Sequence, residues 1–127
     1  MSERTWRVYL AGEIHSDWRD QVESACEGLP IVFTAPVTDH TASDAAGTGT
    51  LGDESEKFWA DHKGAGVNSI RTQTFIQEAD VVVVRFGDKY RQWNAAFDAG
   101  YAAALGKPVI TQHDEEFDHA LKEVDGA

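Results

Sequence analysis

One cysteine in 127 residues, Cys26, leaves no partner for an intrachain disulfide. The same scarcity excludes a cysteine-built zinc cluster and the stapled framework of a small secreted domain. Cys26 itself reads as a half-buried helix residue behaving as a small hydrophobe. Long apolar runs are missing too. No segment approaches the roughly 18 consecutive apolar residues that span a bilayer, and Met1-Ser-Glu-Arg-Thr offers no apolar signal core. A soluble, cytoplasmic protein with no membrane partner is expected. Basic residues are few, with 11 Lys and Arg against 22 Asp and Glu, for a net charge of -11. Duplex binding depends on displacing counterions with Lys and Arg, so a DNA or RNA duplex is not an expected partner. The acidity fits either a salty cytoplasm or plain solubility. Phosphate fingerprints are absent as well: no Gly-x-Gly-x-x-Gly follows the first strand, and Gly106-Lys107 runs into Pro108, which makes it a helix stop. There is no internal repeat and no low-complexity tail.

What is present alternates strand and helix. A chain of this length suits one domain, residues 1–127, because folding at this size buries roughly two-thirds of the unfolded surface. Trp6 to Ala11 is rich in strand formers and ends at Gly12. A helix follows, with Ser16 as N-cap, Gly28 just past its end, and Trp18, Val22, Ala25 and Leu29 on one face. Ile31 to Pro36 is a second apolar strand. From Val37 to about Glu56 the pattern dissolves into small polar residues, and so long a loop is usually functional or mobile, a candidate lid. A helical stretch holding Phe58 and Trp59 then meets Gly64 and Gly66, and a second amphipathic helix is expected over Val67 to Ala79. Four valines in Val81 to Phe86 mark a strand buried on both faces. A loop leads through Trp93 into a small-residue helix that ends at Leu105-Gly106, a fourth strand covers Val109 to Thr111, and a terminal helix is expected over His113 to Val124. This order predicts an α/β fold, a doubly wound, flavodoxin- or Rossmann-like parallel sheet of four to five strands with flanking helices.

In such sheets ligands bind beyond the carboxyl ends of the strands. Asp98 sits on the helix that returns from the third strand, which makes its carboxylate the first catalytic candidate. Asn94 precedes it by one helical turn and shares its side of the helix, where it can orient that carboxylate, touch sugar hydroxyls, or simply cap the helix. Tyr9 and Gly12, late in the first strand, offer a stacking surface and a close backbone approach, or alternatively core and turn. His40 and Asp39 in the long loop are candidates for acid, base or substrate contact. Arg71 is placed to meet a phosphate bidentately. Asp80, Gln92 and Trp93 complete the substrate-binding set, with Asp80 also readable as a structural hydrogen-bond acceptor. For Asp98 the plain alternative is an ion pair with Lys107 or Arg85. No cofactor and no metal are expected; His113, Asp114 and His119 are metal-capable types scattered in an acidic tail.

The segments Val8-Tyr-Leu-Ala-Gly12, Ala79-Asp-Val-Val-Val and Phe97-Asp-Ala-Gly-Tyr-Ala102 followed by Leu105-Gly-Lys-Pro-Val-Ile resemble the nucleoside 2-deoxyribosyltransferase superfamily. More closely, Leu10-Ala-Gly-Glu-Ile-His-Ser-Asp-Trp-Arg19, Thr38-Asp-His40, Arg71-Thr-Gln73 and Gln92-Trp-Asn-Ala-Ala resemble the YtoQ family within that fold. The resemblance spans nearly the whole chain. It implies a glutamate nucleophile where this sequence has Asp98, and an aspartate where it has Gln92. It also implies a homodimer or larger homo-oligomer. Cleavage of an N-glycosidic bond passes through an oxocarbenium-like state that a carboxylate stabilises by charge or by a covalent glycosyl intermediate. The expected function is therefore hydrolysis or deoxyribosyl transfer at the N-glycosidic bond of a nucleoside or nucleotide, with Asp98 as nucleophile or charge stabiliser. The alternative, which Gln92 favours, is a non-catalytic domain that binds or senses a nucleotide in the same crevice.

Overall fold

Runs of β-branched and aromatic residues between turn residues set the strands. The computed structural model describes residues 4–36, 57–87 and 93–127. Their elements in chain order are β1 (Trp6–Gly12), α1 (Trp18–Ala25), β2 (Ile31–Thr34), α2 (Lys57–Glu78), β3 (Val81–Arg85), α3 (Trp93–Ala104), β4 (Val109–Gln112), a 3-10 turn (Glu115–Phe117) and α4 (Lys122–Asp125). The four strands form one parallel sheet in the order β2-β1-β3-β4. The expected α/β parallel sheet is thus found, with four strands among the described residues.

β1 and β3 are its centre, paired from Val8 opposite Val81 to Gly12 opposite Arg85. Tyr9, Leu10, Ala11, Val82 and Val84 are wholly buried there. Leu10, Val82 and Val84 each contribute about 1.5–3 kcal/mol when fully withdrawn from water, so the two strands anchor the molecule. Side chains alternate between two faces. Tyr9, Ala11, Val82, Val84 and Phe86 pack with Ile76 and Ala79 and with Ala95, Ala99 and Ala102 of α3. The alanines recur at helical spacing and let α3 lie close to the sheet. Val8, Leu10 and Val83 face the other way, against Trp18 of α1. That helix has only 8 residues. Beside it an apolar groove of 360 Å³ stays open, lined by Trp6, Val22, Cys26, Phe33, Val83 and Ile110 among others.

Several sequence expectations shift here. Ser16 does not cap α1: its hydroxyl goes to the Glu13 carboxylate, and Asp17 is the N-cap residue. Gly28 turns left-handed at φ +86° and takes Leu29 out of the helical phase, so Leu29 is exposed and Cys26 follows Trp18 and Val22 on the inner face. One helix, α2, runs through Gly64 and Gly66 where two were expected. A mid-helix glycine costs about 1 kcal/mol relative to alanine. Packing of Phe75 and Ile76 on the sheet, with the Phe75 ring 5.8 Å from that of Tyr9, outweighs that cost. The expected terminal helix is instead the 3-10 turn and the single turn α4, a bend that brings Asp125 back to His113. No helix among the described residues is long and apolar enough to cross a membrane.

Candidate functional site

From β1 the chain crosses to β2 on one side, and β3 leads to β4 on the other, so the order reverses between β1 and β3. The crevice outside their carboxyl ends is the topological switch point. Gly12 and Gly87 shape it. Gly12 has φ +108°, and a Cβ there meets the Arg85 backbone, while a Cβ on Gly87 meets the Glu13 side chain. Glu13 N–H also donates to the Arg85 carbonyl at 3.0 Å. The close approach expected of Gly12 is therefore made to β3.

Beneath that crossing Arg19 is a buried brace. Its Nε donates to the Leu10 carbonyl at 3.0 Å, Nη1 to Glu13 at 2.6 Å and Nη2 to Gly12 at 3.3 Å. Trp18 Nε1 adds a bond of 2.7 Å to the Glu13 carbonyl. Burial pulls the Arg19 pKa down, against the Tyr9 and Glu13 charges, yet arginine keeps its proton at neutral pH. Glu13 is itself buried. Burial pushes its pKa up, but hydrogen bonds from the Ser16 hydroxyl and the His15 amide, with the nearby His15 and Arg85 charges, bring it below the ordinary value. Glu13 is an ionised, fixed carboxylate. Sequence reading singles out neither residue as part of this brace; the signal available was an acid directly after the glycine that ends a strand.

Asp98 lies in the first half of α3, the helix that returns from the carboxyl end of β3, between the buried Ala95 and Ala99. It forms no ion pair and accepts no hydrogen bond among the described residues: Lys107 Nζ donates to the Gln77 carbonyl at 2.9 Å, and Arg85 forms no ion pair there either. Burial pushes the Asp98 carboxyl up to about 7. Tyr9, wholly buried on β1, packs against the same helix α3 and feels the Asp98 charge. The Tyr9 hydroxyl has no partner in bonding geometry among the described residues, although Thr72 acts on it from α2. Burial, with Asp98 adding to it, raises the phenol to about 12 against the opposing influence of Thr72 and Arg19. A neutral phenol and a carboxyl poised between its two states thus share one site.

The other expected residues divide. Asn94 and Trp93 sit in the first turn of α3, both exposed. Arg71 is exposed on α2, next to Thr72. Asp39, His40 and Gln92, with the long loop of the candidate lid, lie outside the described residues. Asp80, read from the sequence as a substrate contact or as a structural hydrogen-bond acceptor, lies away from the crevice. It precedes β3 and so stands at the amino end of the sheet, opposite the crevice, where its carboxylate accepts from the Arg7 amide at 2.9 Å and from Arg4 Nη2 at 2.8 Å. Those partners, the Arg7 amide foremost, hold its pKa below the ordinary carboxylate range. Its role is to tie the strand starts together.

The family described as nucleoside 2-deoxyribosyltransferase YtoQ matches residues 9–127. The chain belongs to the YtoQ family. It is 43% identical over 119 residues to the uncharacterized protein YtoQ of Bacillus subtilis (strain 168), covering 92% of this chain and 80% of that protein. The YtoQ match takes in Tyr9, the Gly12–Glu13 crossing, Arg85 and Asp98 together. No cluster of three or more metal-ligating side chains occurs among the described residues.

Proposed function

We propose that this chain cleaves the N-glycosidic bond of a nucleoside or nucleotide, by hydrolysis or by transfer of the sugar to a second base. The observation that carries the reading is Asp98, a desolvated carboxyl with no partner among the described residues, close enough for its charge to act on the unpartnered hydroxyl of the wholly buried Tyr9. The description of the family as nucleoside 2-deoxyribosyltransferase supports this reaction class. In its ionised form Asp98 attacks the anomeric carbon; the carbon–nitrogen bond breaks, its electron pair leaves on the base, and the base gains a proton. Water then takes the sugar from Asp98 in hydrolysis, and a second base takes it in transfer. Asp98 acts equally well without the covalent step, by opposing the positive charge that develops on the sugar. Tyr9, a neutral donor at working pH, is suited to a hydroxyl or ring oxygen of the sugar or to Asp98 itself. His40 and Asp39 remain the proposed proton donors to the leaving base.

The test is base release. Incubated with deoxy- and ribonucleosides and their monophosphates, the protein should liberate free base detectable by chromatography, and Asp98→Ala should abolish it. The rate should rise with pH through about 7 as Asp98 loses its proton. Base release no greater than with Asp98→Ala overturns the enzymatic reading. A second reading rests on Gln92, an amide where the superfamily resemblance implies an acid. On it the crevice binds a nucleotide without cleaving it, and a ligand at about 100 times its dissociation constant stabilises the fold by roughly 2.7 kcal/mol with no base released.

A further inference from the structure

Along β3, Val82 and Val84 face Tyr9 and α3, while Val81 and Val83 face α1, so alternation puts Arg85 on the α1 side of the sheet. Val81 and Val83 line the 360 Å³ groove on that side, together with Ile110 and Gln112 of β4. Gln112 is in register with Arg85, which sets Arg85 at the carboxyl end of the groove. The C-terminal tail does not cover this face. Leu121 and Val124 pack on the other one, and Ile110 is left 51% exposed. Arg85 is half-buried, and its Nε is wholly buried with no hydrogen-bond partner. Among the described residues its guanidinium enters no ion pair and donates no hydrogen bond, whereas Arg4, Arg7 and Arg19 each have partners. Glu13 attracts it at longer range, but the Glu13 oxygens are already held by the His15 amide and the Ser16 hydroxyl. In a chain of net charge -11, an unspent cation at the end of an apolar groove calls for an anion from outside.

We propose that this groove binds a small carboxylate with an apolar body, the body lying along Val81, Val83 and Ile110 and the head meeting Arg85 and the Gln112 amide. The planar fork of an arginine takes a carboxylate through two parallel bonds, and the glutamine amide adds another donor. The groove is at the lower end of the roughly 300–1,000 Å³ of ligand clefts, and it pairs a mostly apolar lining with a few polar groups at one end, as such clefts do. The site lies on the opposite face from Asp98 and Tyr9 and does not depend on the function proposed for them.

Three chains of one length, octanoate, 1-octanol and octylammonium, should be titrated as monomers by calorimetry into the wild type, Arg85→Gln, Arg85→Lys and Ile110→Glu. Charge-assisted bonds of this kind correspond to a preference on the order of 10- to 100-fold for octanoate over octanol. Octylammonium should bind no better than octanol. Arg85→Gln should erase the preference and leave octanol affinity unchanged, and Arg85→Lys should keep part of it. Ile110→Glu, at an exposed position, should weaken octanoate and octanol alike. Equal affinity for octanoate and octanol in the wild type overturns the proposal, as does a preference that survives in Arg85→Gln, octanoate binding that Ile110→Glu leaves unchanged, or no binding of octanoate at all.

Discussion

Asp98 concentrates the chemistry and the cost of the site. A carboxyl held at about 7 in the fold against an ordinary 3.8 binds more protons folded than unfolded between those values. Its folded pKa is raised, so stability falls as pH climbs from about 4 to about 7 and stays reduced above. Asp98→Asn removes the ionisation while keeping the shape. It should stabilise the protein by about 1–3 kcal/mol at about pH 8 and by less at about pH 5, read as a pH-dependent gain in Tm. A Tm difference that does not change with pH contradicts the burial argument. The position of Asp98 was legible, because an acid on an alanine-rich helix after a four-valine strand has few other placements. Its neighbour was not. Tyr9 and Thr72 come from other elements, and no spacing in the sequence reports that they converge. For Asp80 strand direction was the usable signal, since a residue before β3 stands at the far end from the crevice, where the structural alternative applies.

At the scale of elements, the C-terminal segment is held by one histidine. His113 Nδ1 donates to the Asp114 carbonyl at 2.9 Å, its Nε2 to Asp125 at 2.6 Å, and the Thr111 hydroxyl donates to the other Asp125 oxygen at 2.8 Å. With an acceptor at each ring nitrogen, the imidazole is doubly protonated. The Asp114 carbonyl, then Asp125 and Asp118, raise its pKa; His113 and Thr111 lower that of Asp125. The His113 contribution is full below the unfolded value near 6.5 and is lost as pH rises through the raised folded value. That of Asp125 is present above its unfolded value near 3.8 and is lost as pH falls through the lowered folded one. Hydrogen exchange in α4, corrected for intrinsic rate, should be slow at about pH 6 and faster at about pH 9, and His113→Gln should remove the difference. Equal protection at both pH values contradicts the clasp. Element types were largely readable from period, but their joints were not. Gly64 and Gly66 read as a break because local propensity disfavours them, and packing against Tyr9 overrides it. The tail reads as helix because Phe117, Leu121 and Val124 repeat at helical spacing, while the return to His113 depends on a contact twelve residues away.

At the scale of the molecule, the α/β sheet was readable from alternation and from the valine run. The order β2-β1-β3-β4 was not, since nothing local says on which side of β1 the third strand is added. Net charge acts at this scale too. At -11 the fold carries self-repulsion that salt screens. Tm should rise by several degrees between about 0.01 M and 0.5 M sodium chloride, with most of the gain at the low end. A flat response would show that the charges are already balanced pairwise.

The short α1 has a practical corollary. Cys26, the chain's lone thiol, lines the open groove beside that helix. Its rate of alkylation by a maleimide is thus a native gauge of that face: anything that settles there, whether a companion molecule or a neighbouring segment, will slow the labelling without any residue having to be introduced.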